Sequence, residues 1–195
     1  MSNVVTSFSG SSTVLLSQSQ SLNDYVWEET IHGDGLSMHL VTKERNDFFQ
    51  AICKMYQLEE QQLEEGLESM VLWCIYDEKN CPIGIIQIDH YASLEALKVQ
   101  VSDPALASQL FSKQKVLELS YTLDENNRGR GLGSKSVQTW LNYARQNAWS
   151  SSLFAVVDVE NKASIRILEK NSLAYLGEYV HSETKEQISV YVVKD

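Results

Sequence analysis

Gly129, Gly131 and Gly133 fall on alternate positions between a strand-like run and a helical one, in the stretch Leu117–Val137, L-E-L-S-Y-T-L-D-E-N-N-R-G-R-G-L-G-S-K-S-V. Glycine has no Cβ, so at such a turn the backbone N–H groups can point inward and approach a ligand closely. A helix starting near Leu132 adds its unpaired first-turn N–H groups and the positive end of its dipole. Together these donors make an anion site, and a phosphate or pyrophosphate is the natural occupant. Arg128 and Arg130 add positive charge to the same loop of an otherwise acidic chain.

Several loop patterns compete for this turn. A P-loop needs G-x-x-x-x-G-K-[ST]; this loop is too short and lacks the Gly-Lys-Ser/Thr ending. A dinucleotide fold needs G-x-G-x-x-G and a carboxylate at the end of the next strand. The glycines here run G-x-G-x-G, although Asp158 does close the next expected strand. The remaining pattern, [Q/R]-x-x-G-x-[G/A], is met by Arg128-Gly129-Arg130-Gly131-Leu132-Gly133. It resembles the acyl-CoA pyrophosphate loop of the GNAT superfamily of N-acetyltransferases. Downstream, Val157–Leu173 reads V-D-V-E-N-K-A-S-I-R-I-L-E-K-N-S-L. This segment is similar to the N-x-x-S-x-x-[VIL]-[LY]-E-K-x-G-F element of the same superfamily, and Asn161, Ser164, Ile167, Leu168, Glu169 and Lys170 all match. Within the superfamily it most resembles the branch of the ribosomal-protein N-terminal acetyltransferases. The likeness spans Leu36 to Val193 and is specific over Glu118–Lys170. It departs from the pattern at Ser172-Leu173, where the family has Gly-Phe; Asn171 is the residue expected to take the left-handed cap instead. It departs again at Leu168, where many members carry the tyrosine that protonates the departing thiolate.

The resemblance implies an α/β (α+β) GNAT fold, a mixed central sheet of about six to seven strands flanked by about four helices. It implies acetyl-CoA as cosubstrate and no metal. In that fold the central strand and the strand after the glycine turn splay apart, and the pantetheine arm enters the cleft. The backbones of Tyr121, Thr122 and Leu123 would then pair with the arm, and the amides of Gly129 to Ser134 would hold the pyrophosphate. The Ser134 hydroxyl either adds a bond there or faces solvent. Asn161 either bonds the pantetheine or caps the helix that starts at Lys162. Ser164 matches a family serine near the cofactor sulfur and is the local substitute for the missing tyrosine; its other reading is an inert helix-face serine.

Acetylating an amine needs a neutral nucleophile, so a group of pKa ~10 must first lose its proton to a base or a water relay. Glu118 on the central strand is the leading base; its other reading is a structural carboxylate on the far sheet face. Asp89 and His90, ending a neighbouring strand, are the reserves. A backbone N–H near Leu123 would polarise the thioester carbonyl. The implied reaction is acetyl transfer from acetyl-CoA to a primary amine, on a small molecule or on a protein or peptide, by direct attack in a ternary complex. The rival is a non-catalytic acyl-CoA-binding or regulatory module, which Leu168 keeps in play.

The elements that must position these residues follow from periodicity. Gly35–Val41 reads as a first strand, with Leu36, Met38 and Leu40 alternating, and Thr42 as the N-cap of a helix from Lys43 to Tyr56. A second helix, Glu59–Glu68, carries Glu59, Glu60, Glu64, Glu65 and Glu68; they form either an acidic rim beside the acceptor groove or a solvated face. Met70–Tyr76 and Ile83–His90 form a hairpin through the turn Asp77–Cys81. Ala105–Phe111 is a short helix within an insertion, after the start signal Asp103-Pro104. After the glycine turn come a helix to Asn147, a buried strand Ser152–Val159, a helix Lys162–Lys170, and a closing hairpin of Tyr175–His181 with Gln187–Val193. The resulting order, β-α-α-β-β-β-α-β-α-β-β, is the GNAT order and not that of a dinucleotide fold.

Length and composition bound the rest. The chain of 195 residues suits one domain, expected over 25–195 after a Ser-rich tail over 1–24. The tail has no Lys or Arg, so neither a signal peptide nor an arginine-rich transit peptide is expected. A net charge of -10 argues against nucleic acid as partner and suits a cationic one. No apolar run approaches a membrane span. Cys53, Cys74 and Cys81 have no metal or C-x-x-C spacing, and reduced thiols point to the cytoplasm. Oligomeric state is not legible in the sequence.

Overall fold

The computed structural model describes residues 26–44, 46–91, 105, 108, 116–149, 153–180 and 185–193. The order is β1 (Thr30–Gly33), β2 (Leu36–Leu40), α1 (Asp47–Tyr56), α2 (Glu60–Gly66), β3 (Met70–Tyr76), β4 (Pro82–Tyr91), β5 (Val116–Leu123), a 3-10 turn (Glu125–Asn127), α3 (Leu132–Gln146), β6 (Leu153–Asp158), α4 (Lys162–Lys170), β7 (Leu173–Val180) and β8 (Gln187–Val193). The strands make one 8-stranded sheet in the order β1-β2-β3-β4-β5-β6-β8-β7. Its neighbours are antiparallel except β5 and β6, which α3 joins as a crossover.

Alternation along the strands sorts side chains into two cores. In β3, Leu72, Cys74 and Tyr76 pack with Phe49, Ile52 and Leu63 of α1 and α2. Trp73 and Ile75, between them, pack with Val137, Trp140 and Leu141 of α3 and Leu168 of α4. The sheet is therefore sandwiched, with α1 and α2 on one face and α3 and α4 on the other. Cys53 and Cys74 are buried small hydrophobes, and burial pushes the Cys74 thiol up to about 12. Among the described residues no helix is long and apolar enough to cross a membrane.

Differences from the sequence expectation have local causes. β1 was not expected; it pairs with β2 through an Asp34-Gly35 turn at φ 51° and 75°, the dipeptide that a tight hairpin with positive φ at both central positions favours. Helix α1 begins at Asp47 and not at Lys43. Asn46 Oδ1 accepts the Phe49 N–H at 3.1 Å and outcompetes Thr42 as the cap, and the Thr42 hydroxyl is buried without a partner among the described residues. Of the expected helix over 105–111, Ala105 and Ser108 are helical and the remainder lies outside the described residues, as does the tail over 1–24. The Lys162–Lys170 helix has the expected bounds.

Candidate active site

Helix α3 is entered through Gly131, its N-cap, at φ 78°, two residues after Gly129 at φ 72°. Left-handed backbone at both positions is what requires glycine. Among the described residues, a Cβ added at either would meet nothing within 4 Å, so the turn is open toward them. The first-turn amides of Leu132, Gly133 and Ser134 have no intrahelical acceptor and border that space. Gly133 is different: a Cβ there would stand 3.1 Å from Ile167 Cδ1 and 3.9 Å from Tyr121 Cε2, so the third glycine lets α3 approach α4 and β5. Arg128 curls back and donates from Nε to Leu123 O at 3.0 Å; Arg130 donates from Nη1 to Asn127 Oδ1 at 3.2 Å.

The turn stands at the mouth of a cleft. Among the described residues, strands β5 and β6 pair at Leu117 with Leu153 and at Glu118 with Phe154, and not beyond. Beyond that vertex β5 follows β4 to Leu123 while β6 follows β8 to Asp158. The Asp124 N–H donates to Ile83 O, which sets the alternation: Glu118, Ser120 and Thr122 turn their amides to β4, and Tyr121 and Leu123 turn theirs to the opened side. A main-chain edge facing an opened cleft fits an extended ligand that hydrogen-bonds like a strand.

Side chains on the two faces of β5 differ. On the face of α3 and α4, the Tyr121 hydroxyl donates to Ser164 O, in the first turn of α4, at 3.5 Å. Burial raises the phenol's pKa more than the Ser164 side chain lowers it. Asn161 caps α4, its Oδ1 accepting the Ser164 N–H at 3.1 Å, so the capping reading of Asn161 holds for that oxygen. Leu168 is fully buried and belongs to the core.

On the other face Glu118, buried, stands directly across the register from Asp89. Burial pushes the Asp89 carboxyl up to about 6, although the Gln87 amide donates to its Oδ2 at 2.8 Å. Tyr179 of β7 is buried on the same face, and its phenol is raised by burial and then by the Glu118 charge. The Tyr56 hydroxyl of α1 donates to Thr122 O at 3.2 Å. The His90 side chain lies outside the described residues.

Two expectations are corrected. The Ser134 hydroxyl, placed by sequence either on the ligand or in solvent, does not face solvent: it is buried and accepts from Asn171 Nδ2 at 3.3 Å. Asn171 itself is not left-handed, with φ -91°; Ser172 takes that conformation at φ 65°, and the Asn171 amide is spent on Ile167 O and Ser134. Asp158 accepts the Glu160 N–H at 2.7 Å, which ties the dinucleotide rival's carboxylate into a turn. In the acidic helix, Glu59 forms a capping box with Gln62, while Glu60 accepts from Gln50, Glu65 accepts from Gln61, and Glu68 pairs with Lys43. Sequence reasoning missed the side chains of Tyr121, Tyr56, Gln87 and Tyr179. Strand alternation held a signal for Tyr121; the other three reach the site only through the sheet order.

Residues 23–173 match the family model described as an acetyltransferase (GNAT) domain. The chain belongs to the GNAT acetyltransferase family. Solved GNAT structures share its fold at low identity. RimL, a ribosomal alpha-N-protein acetyltransferase in complex with coenzyme A, is 13% identical, with a TM-score of 0.61 over 85% of this chain and 98% of that one. An acetyl transferase from Salmonella typhimurium that modifies an N-terminal serine of a 50S ribosomal subunit protein is 14% identical, with a TM-score of 0.62 over 85% of this chain and 100% of that one. A spermidine N-acetyltransferase chimera built on the Vibrio cholerae enzyme is 11% identical, with a TM-score of 0.60 over 82% of this chain and 95% of that one. No curated protein matches the chain.

Proposed function

We propose that the protein transfers the acetyl group of acetyl-CoA to a primary amine by direct attack in a ternary complex. The observation that carries this reading is the open glycine turn at the start of α3, set at the mouth of the β5–β6 cleft. The amides of Gly129 to Ser134 hold the pyrophosphate, with Arg128 and Arg130 adding charge. The arm runs along Tyr121 to Leu123, and the Asn161 amide NH2, left over from capping, bonds it. The inward N–H groups of Tyr121 and Leu123 polarise the thioester carbonyl. The amine nitrogen attacks the carbonyl carbon, the C–S bond breaks, and the thiolate takes a proton from the Ser164 corner. Glu118 receives the amine's proton, with Asp89 opposite it in reserve. The acceptor is an amine on a small molecule, as in the spermidine enzyme, or a protein N-terminus, as in the ribosomal-protein enzymes. The thiols of Cys53, Cys74 and Cys81, which form no disulfide among the described residues, fit a reducing compartment, and we place the protein in the cytoplasm.

Two measurements test the reading. Gly131→Val puts a β-branched residue at φ 78° and fills the cradle, so acetyl-CoA affinity by calorimetry should fall by about a hundredfold or more in a protein that still folds. Unchanged affinity in folded Gly131→Val would show that the turn is not the site. Thiol release from acetyl-CoA over a panel of protein N-termini, lysines and polyamines should find a turned-over acceptor. Tight binding with no release from any amine would favour the non-catalytic module.

A further inference from the structure

Transfer from a thioester leaves a thiolate, which must be protonated in the cleft. We propose that the Tyr121 phenol is the acid that delivers this proton, an assignment that rests on the acetyltransferase reading above. Tyr121 stands on the opened stretch of β5, beyond the vertex at Glu118 and Phe154. Its ring lies beside Gly133, where a Cβ would come within 3.9 Å of Cε2, and its hydroxyl reaches α4 at Ser164 O. The ring therefore walls the side of the cleft between the central strand and the helix that follows β6.

The hydroxyl is held there loosely. Ser164 O is an internal helix carbonyl with its own N–H donor four residues on, and the tyrosine bond to it is long, at 3.5 Å. Such a bond fixes where the oxygen sits and leaves the proton available to a ligand atom. An ordinary phenol lies within about two pK units of an ordinary thiol, so a tyrosine is a competent proton donor to a thiolate, and burial raises the Tyr121 phenol above that ordinary value. Burial keeps it protonated throughout the neutral range. Leu168 is sealed in the core and has no proton to give. The step balances as follows: the amine nitrogen bonds to the carbonyl carbon, the C–S electron pair goes to sulfur, and the Tyr121 proton follows it to give the CoA thiol. The tyrosinate regains a proton from water after release, and the proton lost by nitrogen leaves through the opposite face at Glu118.

Tyr121→Phe keeps the ring and removes only the proton. It should lower kcat about a hundredfold, within the usual range for a general acid, while acetyl-CoA affinity by calorimetry stays within about twofold. Fluorotyrosines placed at position 121, assayed at one pH below all their phenol pKa values, should give a kcat that changes steadily with phenol acidity. This series also answers the question if the Phe variant fails to fold. Wild-type kcat in Tyr121→Phe, or a fluorotyrosine series flat in kcat, overturns the assignment alone. A full loss in Ser164→Ala beside wild-type turnover in Tyr121→Phe hands the proton to Ser164. Acetyl-CoA bound by the wild-type protein with no thiol release from any amine overturns the acid and the acetyltransferase reading together.

Discussion

Asp89 shows how a single side chain reports on its surroundings. Its carboxyl is raised from 3.8 to about 6 because burial disfavours the charged form more than the Gln87 hydrogen bond favours it. An acid whose folded pKa exceeds its unfolded value binds more protons when folded, so it opposes folding above the folded pKa and has no effect below the unfolded one. Asp89→Asn should therefore raise the melting temperature at pH 8. The gain should shrink as the pH falls through 6 and vanish near 3.8. A gain equal at pH 8 and pH 4 would mean that the charge is not what costs stability. Glu118 shares this face and stands opposite Asp89 in register.

At the scale of elements, the cleft depends on how closely β4 and β5 meet at the end of the β5 stretch that has left β6. Gly84 makes that meeting possible: a Cβ there would fall 2.3 Å from Thr122 O and 2.7 Å from Leu123 Cδ2. The carbonyl is backbone, already gripped by the Tyr56 hydroxyl, and cannot swing aside. Gly84→Ala should cost about 1–3 kcal/mol by overpacking and weaken acetyl-CoA binding with it, because the displaced strand end carries the cleft's donors. At this chain length each kcal/mol is read as a drop of about 2–4 °C in Tm. Gly133→Ala is the contrast. Its nearest obstacle is the far end of Ile167, at 3.1 Å, and alanine gains helix propensity of about 0.5–1 kcal/mol, so its Tm should stay near wild type. Equal losses at the two glycines would argue against a strand contact specific to the splay.

The whole molecule carries a formal charge of -10, yet its proposed phosphate turn holds Arg128 and Arg130. The field therefore has opposite signs for the two substrates. Glu60 and Glu65 of α2 accept from glutamine amides, and the excess of acidic residues over the whole chain draws a cation. Salt screens such steering over about 8–10 Å near physiological ionic strength. KM for a cationic amine should rise with added salt, and KM for acetyl-CoA should respond differently. A Glu64→Gln, Glu65→Gln double variant should mimic high salt for the amine alone. An acceptor KM flat in salt, or a best acceptor that is neutral or anionic, would leave the α2 carboxylates as a solvated helix face.

The glycine turn, the start of α3 and the bounds of α4 were legible in the sequence, because each is decided within a few positions. Gly131 needs φ 78°, Asn161 caps the turn that follows it, and Lys162–Lys170 repeats at helical period. The alternation of β5 likewise separated Leu119, Tyr121 and Leu123 from Glu118, Ser120 and Thr122 before any partner strand was known. What faces those residues was decided elsewhere. Glu118 meets Asp89 through an antiparallel register, Tyr121 meets Ser164 across 43 positions, and the Ser134 hydroxyl is taken by Asn171 across 37. Even the cleft is a tertiary outcome, since among the described residues β5 and β6 share the register pairs at Leu117 and Glu118 and then follow different neighbours. Dihedral preference, capping and periodicity act between chain neighbours; register, crossover and close approach act between elements, and periodicity encodes none of them.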